Sequence, residues 1–138
     1  MVKVCWKGGV AFEAETSTGH KVMMDGSPEI GGQNLGARPM EMVLVGLGGC
    51  TSIDVITMLE KMMPGQVKDC QVEITAERAD AVPAVFTQIH VHFKIFGDDL
   101  NEKKVARAVN LSAEKYCSVS KMLEKSVEMS HDYEIIPA

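Results

Sequence analysis

The first two dozen residues alternate. Val2, Val4 and Trp6 take turns with Lys3, Cys5 and Lys7, which is the two-residue period of a half-buried strand. Lys7-Gly8-Gly9 breaks the pattern, and Val10 to Thr16 resumes it with Phe12 and Ala14 on one side. Ser17-Thr18-Gly19 then turns the chain into His20 to Met24. Three short runs separated by turn residues predict a strand meander. Residues 25–38 are Gly-rich, contain Pro28 and show no period. A loop of that length in a small domain is usually functional or mobile.

Pro39 fits the first position of a helix, and Pro64-Gly65 ends it near Met63. Between Met40 and Leu59 apolar residues occupy every side, so the helix is expected to be buried all round. Gly46, Gly48 and Gly49 lie within it. Each interior glycine costs about 1 kcal/mol relative to alanine. Close approach of another backbone, or a local break in the helix, would compensate. Both fit a homodimer with two central helices side by side, and a homodimer is the expectation.

A strand pair follows at Val67 to Glu77 and Val85 to Phe96, with Thr87, Ile89, Val91, Phe93 and Ile95 on one face. After Gly97-Asp98-Asp99 a second helix is expected to run to about Lys125. Val105, Val109, Ser112, Tyr116, Val119 and Leu123 share its apolar face. Val127, Met129, His131, Tyr133 and Ile135 alternate as a last strand. The fold class is α+β, in a single domain over residues 1–138.

Composition narrows the function. Hydrophobic residues make up 46% of the 138, enough for a packed core, and the formal net charge is -5. That charge argues against nucleic-acid phosphates and against an anionic membrane surface as partner. Met1-Val2-Lys3-Val4 enters a strand pattern at once, with no targeting segment. The apolar run Met40 to Cys50 is too short to span a bilayer. A cytoplasmic location is expected, where four cysteines read as thiols.

Two of those thiols carry the candidate chemistry. Cys50 lines up with Asp54, Thr57 and Lys61, the only polar stripe on the central helix. A polar stripe on a buried helix implies a polar pocket. Cys117 lies beside the apolar face of the last helix, with Ala113, Ser120 and Lys121 around it. Small neighbours permit close approach, and a cation favours thiolate. Cys70 reads as a core residue beside Val72 and Ile74, and Cys5 as an incidental thiol. His90 and His92 form an H-x-H on a solvated strand face without the further ligands a metal needs. His20 and His131 are isolated.

The segments Pro39-Met-Glu-Met-Val-Leu-Val-Gly-Leu-Gly-Gly-Cys50 and Ala113-Glu-Lys-Tyr-Cys117-Ser-Val resemble the osmotically inducible protein C and organic hydroperoxide resistance family (OsmC/Ohr). The order of elements resembles it over nearly the whole chain, closest to a small branch without an assigned substrate. The resemblance implies an intertwined homodimer, two sheets wrapping two central helices, with sites at the subunit interface. It implies a thiol-dependent peroxidase in which Cys50 attacks an organic hydroperoxide and Cys117 resolves the sulfenic acid, a dithiol reductant restoring both. No metal or other cofactor is called for. The family's helix-start Glu follows the proline directly, whereas here Met40 stands there and Glu41 follows. Nine residues of ideal helix turn Glu41 about 180° from Cys50. Glu41 is therefore either a catalytic carboxylate or a charge complementing the helix dipole. The cation partnering Cys50 is left open among Arg38, Lys7 and Lys21. The alternative function is a non-enzymatic, stress-associated or small-ligand-binding dimer with slow or no peroxide chemistry.

Overall fold

The computed structural model describes residues 1–138. Two compact units divide the chain, Met1–Val45 and Gly46–Ala138.

In the first unit, β1 (Lys3–Trp6), β2 (Phe12–Glu15) and β3 (Lys21–Met24) form an antiparallel meander in the order β1-β2-β3. The strands pair as the alternation requires, Val4 against Ala14 and Ala14 against Val22. The aperiodic loop is organised by one carboxylate. Asp25 is buried and accepts from the backbone N–H groups of Gly26, Gln33 and Leu35 at 2.8, 3.0 and 3.2 Å. Those donors stabilise the charged form and hold its pKa below the ordinary carboxylate value. A short 3-10 turn, Pro28–Ile30, closes inside the loop.

Helix α1 spans Pro39–Met62. The Glu41 carboxylate accepts from the Arg38 backbone N–H at 2.9 Å, one half of a capping box at its start. Pro64 and Gly65, at φ 71°, end it. The 24-residue helix is long and apolar enough, by length and composition, to cross a membrane. The Met40–Cys50 run, too short to span by itself, is one part of this helix. Within one chain the covered surface is narrower than the all-round burial expected of paired helices in a dimer. Leu47, Thr51, Val55 and Leu59 alone are buried, a single stripe of i, i+4 spacing. Val43, Val45 and Ile53 are exposed, Ile53 to 69%. One chain supplies a covering surface for one side only.

In the second unit, β4 (Asp69–Arg78), β5 (Phe86–Phe96) and β6 (Glu128–Ile136) form a sheet in the order β4-β5-β6. β4 and β5 are an antiparallel hairpin, and β5 and β6 run parallel. Ile89, Val91, Phe93 and Ile95 are buried, as their alternation predicts. Thr87 is exposed and Phe86 is buried in its place, because an irregularity at Glu77/Arg78 shifts the register by one residue. Leu47 and Thr51 of α1 share the walls of a cavity of about 230 Å3 with Val91 and Phe93. Gly48 has a packing reason: a Cβ there would stand 3.1 Å from Ile74 Cδ1. Cβ atoms at Gly46 and Gly49 would meet nothing within 4 Å, and α1 shows no break there.

The crossover from β5 to β6 contains the main departure from the sequence pattern. α2 (Glu102–Leu111) starts at Asn101, whose side chain accepts from the Lys104 N–H. It does not continue to Lys125. A π turn occupies Ser112–Tyr116, Cys117 is extended, and α3 covers Ser118–Leu123. The Cys117 N–H reaches back to the Ser112 carbonyl at 2.9 Å, the i→i−5 bond of a π turn. One extra residue in the turn rotates everything after it. Tyr116 is therefore 52% exposed, and Cys117 is fully buried where the helical pattern expected the tyrosine.

Candidate functional site

The site lies within the second unit, where α1 meets the π turn. Cys50 and Asp54 stand one turn apart on α1, so their side chains share a face. The π turn brings Cys117 to the same place. One carboxylate oxygen of Asp54 and the sulfurs of Cys50 and Cys117 all lie within 4.8 Å of one another.

Cys117 is fully buried, whereas Cys50 and Asp54 are half-buried. Burial pushes the Cys117 thiol up to about 11, and a hydrogen bond and the charge of Cys50 act in the same direction. The Ser120 N–H works against that rise: it donates to Cys117 Sγ at 3.4 Å, so the sulfur also caps α3. At neutral pH Cys117 is a protonated thiol beside Cys50.

Asp54 is held from below. Ser112 Oγ lies 3.2 Å from Asp54 Oδ2 and 3.2 Å from the Thr51 carbonyl, and it bonds Thr51 Oγ1 at 2.7 Å. Thr51 and Ser112 are both buried, with no unpartnered side-chain atom. The three residues form one polar chain in an apolar interior, an arrangement that fixes each rotamer. The polar stripe expected from the sequence lines a cleft. Asp54, Thr57 and Lys61, with Met58 and Met62 of the same helix and Leu111 of α2, line this cleft of about 530 Å3.

The other candidate residues make the following contacts. Glu41 accepts from Arg38 N–H as described, and Arg38 Nη1 donates to the Gly36 carbonyl at 3.3 Å. Lys7 and Lys21 both pair with Glu13 at 3.9 Å. Cys70 is half-buried, with its pKa raised by desolvation and then by Asp69. His90 and His92 are hydrogen-bonded to acidic side chains of the neighbouring strand: His92 Nδ1 to Asp132 Oδ1 at 2.6 Å, His92 Nε2 to Glu134 Oε2 at 2.7 Å, and His90 Nε2 to Asp132 Oδ1 at 2.9 Å. The spacing of Ser112 puts it on an apolar helix face. Its bond to α1 had no local signal, since Thr51 is 61 residues away.

An α+β fold carrying one thiol on a long helix and a second on the crossover after a strand pair is that of OsmC-like proteins. The OsmC-like protein family model matches residues 31–132, and the chain belongs to that family. It is 46% identical over 136 residues to Protein YhfA of Escherichia coli (strain K12), covering 99% of this chain and 98% of YhfA. A crystal structure of a hypothetical protein from Aquifex aeolicus VF5 is 29% identical with a TM-score of 0.86, covering 100% of this chain and 96% of that one. The organic hydroperoxide resistance protein OhrB of Bacillus subtilis shares the fold at 18% identity and TM-score 0.62, covering 97% of this chain and 98% of that one.

Proposed function

We propose that this protein is a thiol-dependent peroxidase that reduces organic hydroperoxides. The observation that carries the reading is the approach of the Cys50 and Cys117 sulfurs to within 4.8 Å, one half-buried and the other sealed from solvent. Family membership and the name of the OhrB relative support the substrate class.

In this reading the Cys50 thiolate attacks the distal oxygen of ROOH. The O–O bond breaks, the alkoxide takes a proton and leaves as ROH, and Cys50 becomes a sulfenic acid. Cys117, kept as a thiol by its surroundings, condenses with it, forming the disulfide and releasing water. A dithiol reductant returns both thiols by exchange and is itself oxidised to a disulfide. The apolar wall of Met58, Met62 and Leu111 takes the organic group. Glu41 acts at the start of α1, with its carboxylate engaged by Arg38 N–H. The protein works in the cytoplasm as a homodimer. The exposed Ile53 and the open space at Gly46 and Gly49 support a second helix packed closely on α1.

The test is one equivalent of an alkyl hydroperoxide followed by mass mapping of cysteine state. A Cys50–Cys117 disulfide is the expected product. Equal peroxide consumption by wild type and Cys50→Ser overturns the reading. Light scattering tests the dimer, and a monomer mass at every concentration overturns that part.

Asp54 favours a second reading. Its carboxylate, within 4.8 Å of both sulfurs, repels negative charge on them. A non-enzymatic, small-ligand-binding dimer would keep the cleft without the chemistry. The same Cys50→Ser comparison separates the two.

A further inference from the structure

We propose that the reduced site binds one soft divalent cation, of which Zn2+ is the type, through Cys50, Cys117 and Asp54. Two thiol sulfurs and a carboxylate oxygen are a donor set that zinc takes, usually as a tetrahedron. The three atoms already lie within 4.8 Å of one another. In a tetrahedron with Zn–S bonds of about 2.3 Å, the sulfurs stand about 3.8 Å apart. Closing the two sulfurs onto one ion therefore needs an approach of roughly 1 Å or less.

The donors are also supported as metal ligands are. Ligating carboxylates are held by outer hydrogen bonds, and Ser112 holds Asp54 at 3.2 Å while being held by Thr51 at 2.7 Å. Three protein ligands leave a fourth position. Asp54 forms part of the wall of the 530 Å3 cleft, from which water can supply it. The cation also resolves the electrostatic conflict at the site. A carboxylate beside two sulfurs disfavours thiolates, and a divalent charge between them reverses that balance, displacing the thiol protons to solvent.

The inference needs no peroxide chemistry. One consequence does rest on the proposed function: a bound cation takes up the electron pair that Cys50 would use on a peroxide oxygen, so the metal-bound form is inert to peroxide.

The experiment is a titration of the full-length reduced protein with Co2+, followed by displacement with Zn2+, in the absence of peroxide. A thiolate-to-cobalt charge-transfer band saturating at one equivalent per chain, with tetrahedral d–d bands, is the expected result. Cys50→Ser and Cys117→Ser each remove the band or halve its intensity. Asp54→Asn weakens affinity by at least about tenfold, and Ser112→Ala, acting by position, by roughly 10- to 100-fold. Circular dichroism of each variant excludes unfolding. Cys5→Ser with Cys70→Ser, outside the site, leaves the titration unchanged. A wild-type titration without a thiolate band, or a band that keeps its full wild-type intensity in Cys50→Ser or in Cys117→Ser, overturns the proposal. Cobalt binding by a protein that leaves peroxide untouched removes the peroxidase reading and not this one.

Discussion

Removing the Ser112 hydroxyl tests the polar chain beneath the site. Ser112 is fully buried and bonds Thr51 Oγ1, the Thr51 carbonyl and Asp54 Oδ2. In Ser112→Ala the half-buried Asp54 regains a partner from water, but the Thr51 hydroxyl, 2% exposed, does not. A buried polar group left without its partner costs about 1–3 kcal/mol. The methyl that remains fills most of the serine's volume, so no large cavity term is added. We expect a loss of about 2 kcal/mol. Replacing both partners with apolar groups of similar shape is nearly neutral. Thr51→Val combined with Ser112→Ala should therefore cost no more than Ser112→Ala alone, a coupling of about 1 kcal/mol or more in a double-mutant cycle. The assay is urea unfolding of the four proteins at one fixed protomer concentration, with constant m. A Ser112→Ala loss below about 0.5 kcal/mol, or costs that simply add in the double variant, refutes the reasoning.

Three further outcomes are expected. With the Cys117 pKa at about 11, its thiolate fraction at pH 8 is on the order of 0.1%; iodoacetamide should label Cys50 first, and rapid labelling of Cys117 at pH 8 in the folded protein would contradict its burial. The sheet-face cluster gives a pH window: Asp132 and Glu134 raise the pKa of His92 above the ordinary 6.5, while His92 and His90 lower that of Asp132 below 3.8. The His92 contribution is present below 6.5 and lost as pH rises through the higher folded value; the Asp132 contribution is present above 3.8 and lost as pH falls through the lower one. The stability gap between wild type and His92→Gln, read from urea midpoints, should thus be larger at pH 6 than at pH 9, and the reverse order would refute it. Leu47→Ala, at a fully buried position on the stripe of α1, should cost about 2–5 kcal/mol in the same assay.

Local periodicity determined much of this protein before any contact was known. The alternation of Val2, Val4 and Trp6, and of Phe12 and Ala14, with turn residues between the runs, sets the meander, and Ile89 to Ile95 sets the buried face of β5, because a strand's faces repeat every second residue. Pro39 and Pro64-Gly65 bound α1 for reasons that lie within a few residues of each. The stripe of Cys50, Asp54, Thr57 and Lys61 was equally legible, as helical spacing alone puts those residues on one face. What tertiary structure decided lies beyond such short-range rules. A π turn at Ser112–Tyr116 exchanges Tyr116 for Cys117 in the interior, and no helical wheel anticipates an added residue. Thr51 and Ser112 meet across 61 residues, because both must satisfy a hydroxyl in the same dry layer. The parallel pairing of β5 and β6 follows from the crossover that carries Cys117. The apolar residues of α1 declare that its surface is to be covered. Only the packing of one chain shows that its own sheet covers a single stripe, since one small sheet has one face to offer.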